Sequence, residues 1–133
     1  MKNIINFITG TLATTLVYFL GGYDIALQLL LIAMILDYLT GVCKAIYNKK
    51  LSSEIGLKGI VKKIGYLILV AIATMVDRTM GDTGAIRTLV IYFFVANECL
   101  SQLENWGNMG VPFPQKLRDT LEQLKNTNDP KSK

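Results

Sequence analysis

The chain has 133 residues, a formal net charge of +4, two cysteines and no histidine, and 51% of it is hydrophobic. Its charges are clustered: none lies between Lys2 and Asp24, between Asp24 and Asp37, between Lys63 and Asp77, or between Arg87 and Glu98. This excludes an ordinary soluble helical domain, whose surface helices interleave charged and apolar residues, and points to lipid as the medium that buries much of the apolar surface.

Absent residue types narrow the function classes. Without histidine there is no His-dependent triad or general base, and no nucleophile elbow, phosphate-binding loop or HExxH pattern is present. No enzyme activity, cofactor or metal is expected. Cys43 and Cys99 read as small packed or lipid-facing residues whose thiols stay reduced. The lysines flank apolar segments instead of lying on an aromatic-laced polar domain, so the bilayer and not nucleic acid is the expected partner of the basic charge.

A first membrane span is expected over about 4–21. Residues 1–22 have the outline of a signal peptide, but the apolar part is long and lacks an A-x-A-like site, so a retained helix is expected. Asn6, Thr9, Gly10, Ala13 and Thr14 fall on one soft stripe, in which Gly10 and Thr14 are candidates for helix packing.

The second span, about 23–47, holds the most informative residue. Asp37 is the only formal charge in IALQLLLIAMILDYLTGV (25–42). A carboxylate there costs roughly 2.5–3.5 kcal/mol on insertion scales, so it requires a partner, a proton or water. Asp37, Thr40, Gly41 and Lys44 recur at i, i+3, i+4 and i+7 on one helical face. That face is a candidate lumen lining or oligomer interface; an internal partner on another span is the competing expectation. Ala45, four beyond Gly41, completes a small-residue pair suited to close helix approach.

The loop 48–62 is basic, and a short helix is expected to enter it with Ser52 or Ser53 as N-cap. Lys49, Lys50, Lys58, Lys62 and Lys63 are expected at the cytoplasmic lipid headgroups. A third span is expected over about 63–80, with Asp77 near its outer end beside Arg78. A fourth, about 85–103, carries Glu98 on a face with Arg87, Ile91, Phe94 and Ser101; Glu98 joins Asp37 as a candidate lumen residue. The stretch 105–114 (NWGNMGVPFP) is expected to break helix. Residues 115–126 follow as a short amphipathic helix with Leu117, Leu121 and Leu124 on one side, and 127–133 as an irregular polar end.

These elements describe an all-α integral membrane protein, with a four-span domain over 1–104 and a cytoplasmic tail over 105–133. Both termini and the 48–62 loop are expected in the cytoplasm, because the lysines concentrate in that loop and the tail. Three spans are the alternative, but they would put the basic loop and the basic tail on opposite sides of the membrane.

Three linked stretches resemble the bacteriophage and toxin-secretion holins of Gram-positive systems. LDYLTGVCKA (36–45) is similar to that family's D-x-x-T/S-G-x-x-x-A segment. KKLSSEIGLKGIVKK (49–63) is similar to its S-S-x-x-G-x-x-G-x-x-K-K loop, and NECLSQLENWGNMGVPFPQKL (97–117) to its N-E-x-x-S-x-x-E-N…G-x-P-x-P ending. The pattern positions here are Asp37, Gly41, Ser53, Gly56, Gly59, Lys62, Lys63, Asn97, Glu98, Pro112 and Pro114.

The resemblance implies a protein of the host cytoplasmic membrane that forms homo-oligomers and opens lesions. These would release an endolysin, an indirect partner, or a toxin; an antiholin is a further implied partner. It implies no catalytic residue. A small ion-coupled exporter with buried acids, or an antiholin or non-lytic membrane scaffold, are the alternative functions.

Overall fold

The computed structural model describes residues 1–127 as five helices. These are α1 (Lys2–Phe19), α2 (Ile25–Tyr47), α3 (Ser53–Thr79), α4 (Ala85–Asn108) and α5 (Gln115–Thr127). The all-α expectation holds for these residues. Of the irregular end expected over 127–133, Thr127 closes α5 and the rest lies outside the described residues.

Side-chain caps set where the helices start. Asp24 accepts from the Leu27 amide at 3.0 Å to open α2, and Ser52 accepts from the Ile55 amide at 3.2 Å to open α3. The stops are equally local. In α1, α2 and α4 the last turn closes with paired amide-to-carbonyl bonds, such as Gly22 to Val17 and Gly21 to Tyr18. The positive-φ residues of these turns are Gly21, Gly22, Lys49 and Gly110.

Two boundaries differ from the sequence expectation. The short helix expected in the 48–62 loop is fused to the third apolar segment, so α3 is one helix of 27 residues. Nothing between Ser53 and Lys63 stops a helix once Ser52 has capped it; the two glycines there cost about 1 kcal/mol each but break nothing. Likewise Asn105–Asn108 continues α4, and the chain turns only at Gly110 (φ 86°), ahead of Pro112.

Burial follows the helical period. The core lies between α2, α3 and α4, where Leu30, Met34, Tyr66, Val70, Ile91 and Phe94 meet. Tyr66 and Phe94 stack with ring centroids 4.0 Å apart. By contrast α1 buries no residue. It hangs from the turn it shares with α2, its Thr9, Thr11, Thr14 and Thr15 hydroxyls each donating to the carbonyl four residues back.

Among the described helices, α2 and α3 are long and apolar enough to cross a membrane by length and composition, with mean hydropathy of 2.0 and 1.8 over their best windows. Asparagines and threonines dilute α1, and Asn97, Glu98, Gln102 and Glu104 dilute α4. Large apolar side chains remain exposed along every long helix, among them Phe7, Ile32, Ile35, Ile68, Ile72 and Leu89. Such surface suits a membrane environment.

Candidate functional site

The helices bring charged residues together at both ends of the core. At the end away from the short turns, Lys63 of α3 reaches between Asp37 of α2 and Glu98 of α4. Its ammonium donates to Asp37 Oδ2 at 2.7 Å and to Glu98 Oε2. Glu98 is 1% exposed, while Asp37 and Lys63 are partly buried. Asn105 Nδ2 donates to Thr40 Oγ1 at 3.1 Å and, more weakly, to Asp37 Oδ1 at 3.4 Å. The Thr40 hydroxyl donates to the Asp37 carbonyl at 3.0 Å, and Gln102 donates to the Ala33 carbonyl. With both acids ionised, two carboxylates share one ammonium, so the cluster carries a formal charge of −1. A buried cluster of this kind can take up a proton, or it can be relieved by turning toward water.

At the turn end Arg87 performs the complementary task. Its guanidinium donates to the Leu20 carbonyl (2.6 Å), the Gly22 carbonyl (3.1 Å) and both Asp24 oxygens (2.7 and 3.0 Å). This fork ties the start of α4 to the α1–α2 turn. Arg87 also holds the Asp24 carboxyl below the usual carboxylate range. Asp77 is 2% exposed and accepts from the Ile86 and Arg87 amides at 3.1 and 2.7 Å, capping α4 from the end of α3. Arg78, next to Asp77 in the chain, donates to the Tyr18 carbonyl and lies 4.0 Å over the Tyr18 ring.

The profile of the bacteriophage holin family matches residues 14–126, spanning all of α2, α3 and α4. The chain belongs to the bacteriophage holin family. A probable holin of Bacillus phage phi105 is 35% identical over 106 residues, covering 80% of this chain and 78% of that protein. An uncharacterised 14.9 kDa protein in the nagH 3' region of Clostridium perfringens is 45% identical over 130 residues, covering 95% and 98% of the two chains. The uncharacterised YqxH of Bacillus subtilis is 38% identical over 122 residues, or 92% of this chain and 85% of that protein. No solved structure matches the chain.

Asp37, Thr40 and Gly41 share the α2 face toward α4: a Cβ on Gly41 would stand 3.8 Å from Asn105 Nδ2. Arg87, Ile91, Phe94 and Glu98 form the buried stripe of α4. Lys44 is half-buried one turn beyond Gly41, away from the ion cluster, and lines an open groove with Ala45. Lys49, Lys50, Lys58 and Lys62 are exposed. Gly10 has no neighbour within 4 Å of a Cβ, and Thr14 bonds only within its own helix. Their stripe on α1 is unpartnered within the described residues.

Lys63 is the correction. It was expected at the headgroups with its basic neighbours, yet it is partly buried between two acids. The reason is the register of the extended α3. Tyr66, Val70, Ala73, Thr74 and Asp77 mark its buried face, and Lys63 continues that face one turn back. The signal was present in the 63, 66, 70, 74 and 77 spacing, hidden by treating 48–62 as a loop. Asn105 escaped notice for a related reason, because its helix was expected to have ended.

Proposed function

We propose that this protein is a holin: it spans the host cytoplasmic membrane, assembles with copies of itself and opens lesions that release an endolysin or a toxin. Four spans, α1 to α4, are the proposed topology. Both termini and the α2–α3 loop then lie in the cytoplasm, as the placement of the lysines favours. The observation that carries the reading is the Asp37–Lys63–Glu98 cluster, held near the middle of three helices in a chain of the holin family.

In a single copy the two acids are closed on Lys63. In a large assembly the polar face of Asp37, Thr40, Gly41, Lys44 and Glu98 turns toward neighbours and water, exchanging a costly buried charge for a hydrated one. The membrane potential opposes or favours this step by about 2.3 kcal/mol per charge moved fully across 100 mV.

Expression of the chain alone in a bacterial cell, followed with a potential-sensitive dye, tests the function. A holin produces an abrupt loss of potential after a delay of normal growth. A gradual leak from the onset of expression, or a saturable flux of one substrate, contradicts it.

A further inference from the structure

A groove of about 1200 Å³ lies between the second half of α2 and the first turns of α3. It runs from Asp37, Lys63 and Asn105 at its inner end to the connector 48–52 at its outer end. Asn48 follows Asp37 by eleven helical steps, so it is about 16 Å long at 1.5 Å per residue. Val42, Ala45, Leu51, Ile55 and Ile60 supply apolar walls. Ile55, Leu51 and Ile60 remain 63%, 64% and 43% exposed, so the chain itself leaves the groove open.

The rim is basic. Lys44 and Lys50 line the groove, with Glu54 as the one acid outside the buried cluster. Neither lysine belongs to an ion pair among the described residues, whereas Lys63 is committed to Asp37 and Glu98. The last turn of α2 fixes where Lys50 leaves the helix: its amide bonds the Ala45 carbonyl at 2.9 Å, and Lys49 turns the chain with φ 55°. An apolar slot with two uncommitted ammonium groups at one end complements a molecule with an apolar chain and an anionic head. Open apolar slots at that depth in a bilayer are filled by something, because an unfilled one forfeits dispersion contacts.

We propose that the groove is a specific site for one anionic phospholipid, with an acyl chain between α2 and α3 and the phosphate on Lys44 and Lys50. This rests on the membrane placement of α2 and α3 and not on lesion formation, so it stands or falls separately from the holin reading. It also differs from general headgroup attraction: it requires one retained lipid per chain, and it assigns Lys44 to that lipid.

The test uses the full chain purified in detergent, with native mass spectrometry counting retained lipid from equimolar phosphatidylglycerol and phosphatidylcholine. The unaltered chain retains one phosphatidylglycerol, preferred by about five-fold for each of the two lysines. K44A/K50A removes that preference but still retains lipid of either kind. Gly59 lines the groove and has nothing within 4 Å of a Cβ, so Gly59→Leu fits the fold, fills the slot and abolishes retention. Equal retention of both lipids by the unaltered chain, or an unchanged preference in K44A/K50A, overturns the proposal. So does a Gly59→Leu variant that loses a dimer while keeping its lipid, which would make a second copy the occupant.

Discussion

Lys63 determines whether two buried acids are an asset or a defect. Removing one partner of a buried ion cluster costs about 3–5 kcal/mol, whereas replacing the whole cluster with neutral groups is often close to neutral. Lys63→Met is therefore expected to lower the unfolding stability of the purified protein by that amount. Adding Asp37→Asn and Glu98→Gln to Lys63→Met is expected to restore most of it; detergent-to-denaturant unfolding measures both. Asp24 gives a pH signature at the opposite end. Its folded pKa is depressed by Arg87, so its contribution is fully present above the unfolded carboxylate pKa and is lost as pH falls through the lower folded value. Asp24→Asn keeps a good N-cap but removes the charge. Melting curves of the two proteins should differ at neutral pH and converge as pH drops below about 4. Asp24 was visible in the sequence as a lone charge between apolar runs and Lys63 as the end of a basic stretch, but their partners were not. A partner 26 or 35 positions away follows from helix register, and the α3 register was lost once its first ten residues were assigned to a loop.

At the scale of elements, α2, α3 and α4 form one packed unit and α1 is an appendage. Local opening is easiest where few side chains are buried, and α1 buries none. Its attachment is the turn clasped by Arg87. Gly21 sits there at φ 82°, and a Cβ would stand 2.5 Å from Arg87 Nε and 2.7 Å from its Cδ. Gly21→Ala is thus strained in backbone and space alike. Hydrogen exchange should show faster exchange throughout α1 in Gly21→Ala, with protection in α2–α4 nearly unchanged; equal loosening of all four helices would contradict the appendage description. The helices themselves were largely legible, because long uncharged runs, a serine cap at 52 and glycine turns are local signals. The end of α4 was less so: Asn105 to Asn108 has weak helix formers, and tertiary contacts of Asn105 with α2 override that propensity. The looseness of α1 was foreshadowed by its threonines and asparagines, although the sequence does not say what its small-residue stripe meets.

For the whole molecule, the two charged networks divide the labour. The Arg87 network pins the turn end with complementary charges and carbonyls, while the Lys63 cluster holds one carboxylate more than it can neutralise. The closed bundle is therefore firm at one end and electrostatically overdrawn at the other, which is where the proposed opening begins. Removing the surplus carboxylate should stabilise the closed form. Asp37→Asn leaves a neutral Lys63–Glu98 pair in place, so the variant should insert normally and open later. The most direct test is the time of lysis after induction in a bacterial host carrying a matching endolysin, compared at equal membrane levels of the two proteins. A reproducible delay for Asp37→Asn is the predicted result, and unchanged or earlier lysis would contradict the account.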